Sequence, residues 1–371
     1  MNNKHIFNLL LCIILFYSCK NESSKDTVEH KEVNIKYANG FEIVNENGNK
    51  YLILKRVFQS GTQSFKYLLT DKIDIQKNAL KVPVEKLVIT STTHVPMVEL
   101  LGKENNVIGF PNTKYISSEK TRALVDSGKI KELGSEQNMN TEVLIDLDPE
   151  LVIGFALHPN NKLYNNMKKL GIPVIFNGDW LEETPLGRAE WIKVFGVLLG
   201  KEKEADSIFS VIEKNYNATK ALAKTKTTTL KVLSGSMYKD TFYVPAGESF
   251  MAKYMSDANL DYIWKDTKGT GSLQLNFESV LDKAQKADFW LGCGLSETKE
   301  ELVNSNRHYN KFDAFNNQKI YTVASKKGPT GGLIYFELAP TRPDLVLKDM
   351  IKITSPELLP EYEFTFFELL K

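Results

Sequence analysis

Two histidines are the side chains of this sequence best suited to holding a metal ion. His94 and His158 each follow a short apolar run in the first half of the chain, and imidazole is a good ligand for zinc and similar ions. A closed zinc site needs about four ligands. The second half of the chain offers no plausible further histidine ligand, because His308 lies in a polar stretch. A direct zinc or manganese site is therefore an alternative interpretation, as is a haem iron with His94 or His158 as its axial ligand.

No combination of residues in the sequence predicts catalysis. The Gly-x-Ser-x-Gly, His-Glu-x-x-His and Cys-x-x-Cys motifs are absent, and so is a glycine-rich phosphate-binding loop. Cys293 ends the apolar run 289–293, which is typical of a buried cysteine rather than a nucleophile. The 47 Lys and Arg residues nearly balance the 46 Asp and Glu residues, so no basic excess indicates a nucleic-acid surface. We expect a binding protein that is not an enzyme and holds no prosthetic group.

Aromatic side chains recur in the loops that follow the predicted strands. Such loops form the usual ligand site of an open α/β sheet, and aromatic rings there suit a large planar or chelate ligand. The predicted aromatic wall consists of Tyr115, Trp180, Tyr238, Tyr243, Tyr335 and Phe336. Thr93, His94 and His158 fall in the same set of loops. Four cations near these loops are candidates to meet an anionic ligand: Lys239, Lys326, Lys327 and Arg342.

A weak internal repeat places a glutamate at two equivalent helix starts. Asn140 precedes Glu142 by two residues, and Asn276 precedes Glu278 by two residues. Each Asn is a plausible N-cap, and each Glu then falls in the first turn, where the helix dipole favours a carboxylate. Both predicted helices lead into a short apolar strand, at residues 151–154 and 289–292. The repeat indicates two related lobes.

The N-terminus has the pattern of an export signal. Lys4 and His5 precede an apolar run that is too short to span a bilayer, and Ser18 and Cys19 follow it. This pattern resembles the signal of a bacterial lipoprotein, which implies that residues 1–18 are removed and that Cys19 carries the lipid. The polar residues 19–32 would then be a flexible tether. We expect an exported protein that is held to a membrane by lipid and faces the periplasm or the cell exterior.

The remaining residues predict an α/β fold of two lobes with mainly parallel sheets. Short apolar runs alternate with helical patterns, which is typical of parallel strand pairing. We predict a first lobe at 33–188 that includes a β extension at 33–84, linking helices at 189–225, and a second lobe at 226–371. One long helix, at about 201–224, would brace the lobes and leave a cleft between them.

Several segments, taken in their order along the chain, resemble the substrate-binding proteins of ABC importers for cobalamin, iron-siderophores and haem. The resemblance runs over some 280 residues, from about residue 84 to the C-terminus. The segments that carry it are residues 86–102, 107–109, 140–142 with 147–153, 171–174, 198–205 and 342–350, with 356–360 closing the match.

This resemblance implies an iron-siderophore, haem or corrinoid in the interlobe cleft, and delivery of that ligand to an ABC permease and its ATPase. It also implies that Glu142 and Glu278 dock onto permease arginines, and that the protein is a monomer. Cobalamin binders tend to carry tryptophans shortly before the docking glutamates, where this sequence has Glu136 and Ser272, which are two further candidates for the cleft. An iron chelate or haem is therefore preferred slightly over a corrinoid. A sensor or adhesin on the same fold is a further alternative.

Overall fold

A computed structural model describes residues 31–32, 34–60, 63–72, 78–135 and 138–371 of the chain. The predicted signal at 1–18, the lipidation site Cys19, nearly all of the tether and the cleft candidate Glu136 lie outside these residues. Within the described ranges, no helix is both long enough and apolar enough to cross a membrane.

The first strands form a five-stranded sheet of their own, which confirms the fold-class prediction of extra β-strands near the N-terminus. Its strands are β1 (Lys31–Glu32), β2 (Phe41–Glu46), β3 (Asn49–Leu54), β4 (Phe65–Thr70) and β5 (Ala79–Lys81), paired in that order. Asn47 and Gly48 both have positive φ angles, of 53° and 79°, as a two-residue turn between antiparallel strands requires. Phe41 and Ile43 on β2 are buried at alternate positions, as are Leu52 and Leu54 on β3, because they lie on the face of this sheet that packs into the core.

Two buried carboxylates attach this extension to the rest of the molecule. Glu190 is fully buried and accepts hydrogen bonds from the backbone N–H groups of Lys36, Tyr37 and Ala38, the shortest at 2.7 Å. Glu182 accepts from the N–H of Gly40 at 2.8 Å, and also from the indole of Trp191. A buried carboxylate is stable only when donors surround it, so these contacts fix the chain segment that leads into β2.

The first lobe is built on a parallel sheet with the order β12-β11-β6-β7-β8. The strands of this region are β6 (Leu87–Ile89), β7 (Val107–Phe110), β8 (Lys131–Glu132), β9 (Gly134–Ser135), β10 (Asn138–Met139), β11 (Leu151–Gly154) and β12 (Val174–Phe176). The helices are α1 (His94–Leu100), α2 (Glu119–Asp126), α3 (Thr141–Leu147) and α4 (Lys162–Lys169), with 3-10 turns at Glu104–Asn106, Thr113–Tyr115 and Asp179–Leu181. The central strands β6 and β11 are buried throughout, because helices cover both faces of a parallel sheet.

Three helices join the lobes, namely α5 (Pro185–Glu190), α6 (Ile192–Leu198) and α7 (Glu202–Ala223). At 1.5 Å per residue the 22 residues of α7 span about 33 Å. Its buried residues include Ala205, Phe209, Ile212 and Tyr216, which recur at helical spacing and give it one apolar face. That face packs against α6 and against the last long helix of the chain. The long helix predicted for this region is confirmed.

The second lobe contains a sheet with the order β16-β13-β18-β19-β20, parallel except for its last strand. The strands of this lobe are β13 (Lys231–Ser234), β14 (Ser236–Tyr238), β15 (Thr241–Pro245), β16 (Asp261–Tyr262), β17 (Ser272–Leu275), β18 (Phe289–Leu291), β19 (Ile320–Thr322) and β20 (Glu368–Leu369). Its helices are α8 (Phe250–Asp257), α9 (Phe277–Ala284), α10 (Lys299–Ser305), α11 (Asp313–Asn316), α12 (Ile334–Leu338) and α13 (Pro343–Thr354), with 3-10 turns at Arg307–Lys311 and Pro356–Leu358.

The two parallel sheets repeat the same strand order, which confirms the prediction of two α/β lobes. Strands β7-β6-β11-β12 of the first lobe correspond to β16-β13-β18-β19 of the second. Helix α3 leads into β11, and helix α9 leads into the equivalent strand β18. The repeat places the carboxyl ends of both sheets, and the loops that follow them, at comparable positions in each lobe.

Candidate ligand-binding cleft

A cavity of about 660 Å³ lies between the two lobes. Its first-lobe wall follows strands β6, β7 and β11, and its second-lobe wall follows β18 and β19, so the loops at the carboxyl ends of both sheets form it. The lining residues are Thr90, Ser91, Thr92, Phe110, Pro111, Asn112, Tyr115 and Phe155 of the first lobe, with Leu295, Glu297, Ala324, Lys327, Gly331, Leu333 and Phe336 of the second. This volume is within the range of small-molecule sites.

Large apolar side chains from both lobes remain exposed in this cleft. Tyr115 is 53%, Leu295 67% and Phe336 51% accessible to solvent. Exposed apolar side chains that converge on one cavity indicate a binding surface. The cation Lys327 forms an ion pair with Glu297, so both charges are compensated within the wall.

A direct contact between the lobes closes one side of the cleft. The carboxylate of Glu337, on α12, accepts hydrogen bonds from the backbone N–H groups of Ser117 and Ser118 at 2.7 and 2.9 Å. Thr330 donates to the carbonyl of Lys114 at 2.8 Å. Gly332 is required here, since a Cβ atom at that position would stand 2.2 Å from the carbonyl oxygen of Tyr115. We call Thr330, Glu337 and residues 114–118 the interlobe contact.

Glu337 is buried within this contact, with 3% of its surface accessible. Burial raises the pKa of Glu337 to about 7, although the two backbone N–H groups favour the charged form. Glu99, on α1, raises it slightly further as a second negative group. The interlobe contact therefore contains a carboxyl that changes charge near neutral pH.

A second, smaller cavity of about 400 Å³ adjoins the cleft and shares Thr92 and Phe336 with it. We call it the inner pocket. Its other lining residues are Thr93, Arg188, Phe250, Met251, Tyr254, Tyr335, Ala339 and Pro340. The pocket brings α5 of the linking region against α8 and α12 of the second lobe.

Four of the predicted cleft residues line these two cavities. Tyr115 and Phe336 line the cleft, whereas Thr93 and Tyr335 line the inner pocket, which Phe336 also borders. The sequence predicted that Tyr335 and Phe336 lie in a loop, but both lie on the short helix α12. Their rings meet edge to face with centroids 5.6 Å apart.

The prediction that His94 belongs to a cleft loop is wrong. His94 is the first residue of α1, is 1% exposed, and packs its ring against Phe195 at 5.6 Å between centroids. Burial lowers the pKa of His94 to about 3. A neutral imidazole inside the core is not placed as a donor to an iron or zinc ion in the cleft. Among the residues described, no group of three or more His, Cys, Asp or Glu side chains is arranged to hold a metal ion.

Five other candidates lie outside the walls of the cleft and of the inner pocket. His158 is exposed, lies 3.3 Å from the hydroxyl of Ser60, and lines a separate cavity of about 570 Å³ in the first lobe. Trp180 packs its ring against Phe155, which itself lines the cleft. The last three belong to the sheet β14-β15-β17 of the second lobe, namely Tyr238, Tyr243 and Ser272.

Several lining residues were not predicted from the sequence. Leu295 and Leu333 are unremarkable apolar residues of loops, and Arg188, Phe250 and Tyr254 lie on helices whose position relative to the cleft depends on how the lobes pack. Of the predicted cations, Lys327 lines the cleft in its ion pair with Glu297, whereas Lys326 and Arg342 are engaged elsewhere. Arg342 forms two hydrogen bonds with Asp344, and Lys326 donates to the carbonyl of Phe364.

Glu142 and Glu278 lie at the positions that the sequence repeat predicts. Both are exposed and fall in the first turn of α3 and α9. Asn140 caps α3 by accepting from the N–H groups of Glu142 and Val143, and Asn276 caps α9 by accepting from Ser279. Neither carboxylate forms a hydrogen bond or ion pair with another described residue.

A family model for periplasmic binding proteins matches residues 87–326, which is well over half of the chain. The chain belongs to the periplasmic binding protein family. The matched residues begin at β6 and end within the cleft loop after β19, so they include large parts of both lobes, the linking helices and most of the cleft walls. The β extension of this binding protein lies before the matched region.

This binding protein is similar to an uncharacterized lipoprotein of Methanocaldococcus jannaschii, with 28% identity over 94% of this chain and 89% of the relative. A possible iron-binding periplasmic solute-binding protein of Staphylococcus epidermidis has a similar fold, with a TM-score of 0.59 and 17% identity over 74% of this chain and 99% of that one. The periplasmic haem-binding protein of Vibrio cholerae has a TM-score of 0.55 and 17% identity over 71% and 99% of the two chains. These likenesses confirm the predicted fold.

Proposed function

We propose that this protein captures an iron-siderophore, haem or corrinoid in the interlobe cleft and delivers it to an ABC permease and its ATPase. The observation that carries this proposal is the cleft of about 660 Å³, which has large exposed apolar side chains on both walls. A cavity of this size and character suits a bulky ligand with a planar or apolar surface. An iron chelate or haem is preferred over a corrinoid, in keeping with the names of the two similar structures.

A ligand screen tests this proposal directly. At a concentration about 100 times its dissociation constant, a ligand stabilises its binding protein by roughly 2.7 kcal/mol. We expect at least one of haemin, ferric citrate, a ferric trihydroxamate and cyanocobalamin to raise the melting temperature of the purified chain by several degrees. Zinc and manganese chlorides serve as the comparison. No shift with any of the four compounds would count against capture, and a shift with the metal salts alone would favour the direct metal binder.

Delivery requires a surface that the permease can recognise, and we assign this role to Glu142 and Glu278. One carboxylate lies on each lobe, at equivalent helix starts, and both are exposed. Two negative points on one body fix both its orientation and its register on a permease that carries arginines at matching positions. Because both side chains lie outside the walls of the cleft and the inner pocket, docking and ligand binding would use separate residues.

We also propose that lipid at Cys19 holds the protein to a membrane, in agreement with the lipoprotein name of the similar archaeal protein. Changing Cys19 to Ser is expected to move the protein from the membrane fraction to the soluble fraction, because a thioether-linked lipid needs the cysteine sulfur. Fractionation followed by immunoblotting measures this, with Cys293→Ser as the matched control. Cys293 is buried, so that change should leave the protein in the membrane fraction. Membrane retention of the Cys19→Ser protein would refute lipid anchoring at this residue.

A further inference from the structure

The inner pocket contains an arginine whose hydrogen-bonding groups have no protein acceptor. Arg188 is half-buried, and its Nε atom is fully buried without a hydrogen-bond partner. Its guanidinium lies over the ring of Phe250, with Cζ 4.6 Å from the ring centroid. None of its N–H groups donates to a side chain or carbonyl of the described residues. We infer that Arg188 binds a carboxylate of the ligand, so that the inner pocket is an anion subsite of the cleft.

The other described arginines show how unusual this arrangement is. Arg122 pairs with Asp126, Arg342 pairs with Asp344, and Arg56 donates to Glu183. Arg307 has no such partner but is exposed, so water can satisfy it. A buried donor without an acceptor destabilises a protein, and more so when the group is charged. A ligand that supplies the acceptor would remove this cost, which is why Arg188 points to an anionic ligand.

The pocket walls support the same assignment. The hydroxyl groups of Tyr254 and Tyr335 make no hydrogen bond with another described residue, and both side chains line the pocket beside Arg188. Burial raises the pKa of Tyr335 to about 12, so its phenol remains a neutral donor at physiological pH. A planar guanidinium can bind a carboxylate through two parallel hydrogen bonds. Two tyrosine hydroxyls are available to complete the set of donors.

Asp179 is the carboxyl that could compete for Arg188. It is buried, its Oδ2 atom has no donor, and it forms no ion pair with Arg188 within 4.0 Å. Burial raises the pKa of Asp179, and the nearby positive charge of Arg188 opposes that rise. Since Asp179 does not occupy the guanidinium, the donors of Arg188 remain available to a ligand. This inference rests on the proposed function and narrows it to carboxylate-bearing ligands, such as haem with its propionates or a citrate-type chelate.

The inner pocket can be tested by itself with benzoate and benzamide, which share size and shape and differ in charge. By isothermal titration or ligand-observed NMR, we expect the wild-type protein to bind benzoate at least tenfold more tightly than benzamide. Arg188→Gln should abolish this preference, and Arg188→Lys should keep part of it because it keeps the charge. Arg307→Gln, at the exposed arginine, is the matched control and should behave as wild type. Equal affinities for the two probes, or benzoate binding unchanged in Arg188→Gln, would overturn the assignment.

Haemin and its dimethyl ester extend the test to the whole cleft. Esterification removes both carboxylate charges, so Arg188→Gln should weaken haemin binding at least tenfold and leave the ester unaffected. The melting temperatures of the variants, and the fold-preserving Arg188→Lys change, distinguish a lost contact from a lost fold. If haemin and the other chelates fail to bind while benzoate still requires Arg188, the proposed function fails and the anion subsite stands. If haemin binds equally well to wild type and Arg188→Gln, the subsite assignment fails and the proposed function stands.

Discussion

Changing Glu142 and Glu278 together to lysine is expected to lower ligand uptake by cells more than tenfold, with the affinity of the purified protein for its ligand unchanged. Both carboxylates are exposed, and neither has a partner among the described residues, so the fold does not depend on their charge. Truncating one member of a buried interfacial charge pair typically costs 2–5 kcal/mol, whereas a tenfold change needs only about 1.4 kcal/mol. Reversal adds repulsion at two points, so the loss should exceed tenfold.

The chain offers matched control positions for this experiment. Glu119 and Glu300 also lie in the first turn of capped helices, α2 and α10, and both are exposed. Reversing them incurs the same unfavourable interaction with the helix dipole, about 0.3–1 kcal/mol each, and changes the net charge equally. Uptake should therefore survive Glu119→Lys with Glu300→Lys. Equal loss of uptake in the control protein would attribute the effect to net charge, and loss of ligand affinity after reversal of Glu142 and Glu278 would place those two residues in binding.

The features that could be predicted from the sequence are those that depend on neighbouring residues. An asparagine two residues before a glutamate specifies a capped helix start through local hydrogen bonds, and both Asn140 and Asn276 form those bonds. The strands β6 and β11 could be recognised because a strand buried on both faces needs an uninterrupted apolar run. The long helix α7 followed from apolar residues at helical spacing over six turns.

The composition of the cleft depends on contacts between residues that are far apart in sequence, and there the prediction was only partly right. His94 follows strand β6, as a cleft residue should, but α1 starts at His94 itself and turns its ring toward Phe195. Arg188 lies on α5, and nothing near it in sequence indicates that α8 and α12 will enclose it. Tyr238 and Tyr243 follow a strand, yet they pair into a separate small sheet instead of facing the cleft.

The interlobe contact leads to a prediction about pH. We expect the free energy of unfolding of wild-type protein to fall relative to that of Glu337→Gln as pH rises from 5 to 8. Glu337 has a pKa of about 7 in the folded protein, against an ordinary value of 4.5. A carboxyl whose pKa is raised by folding contributes stability below its ordinary pKa, and that contribution is lost as pH rises through the folded value. The difference between these two pKa values corresponds to about 3 kcal/mol of folding stability, at about 1.4 kcal/mol per pKa unit.

Glutamine is the appropriate replacement because it imitates the protonated carboxyl. It keeps one carbonyl oxygen to accept from Ser117 or Ser118, has nearly the same shape, and stays neutral at every pH. The difference between the two proteins therefore isolates the charge of Glu337 from the other titrating groups, including Asp179 and Asp349, whose pKa values burial also raises. Urea unfolding at pH 5, 6, 7 and 8 measures this difference, and Glu300→Gln, at an exposed site, should run parallel to wild type.

The same titration bears on how the two lobes separate. Proton binding to Glu337 is favoured only while the carboxyl stays buried against Ser117 and Ser118, so opening of the interlobe contact would release the proton near neutral pH. Protonation of Glu337 stabilises the closed form relative to the open form, and this stabilisation is lost as pH rises. Raising the pH therefore shifts the equilibrium between the two forms toward the open form. Wild-type protein should therefore show a larger radius of gyration in solution scattering at pH 8 than at pH 5, and Glu337→Gln should not change. Parallel behaviour of the two proteins in both measurements would show that the charge of Glu337 does not control the contact.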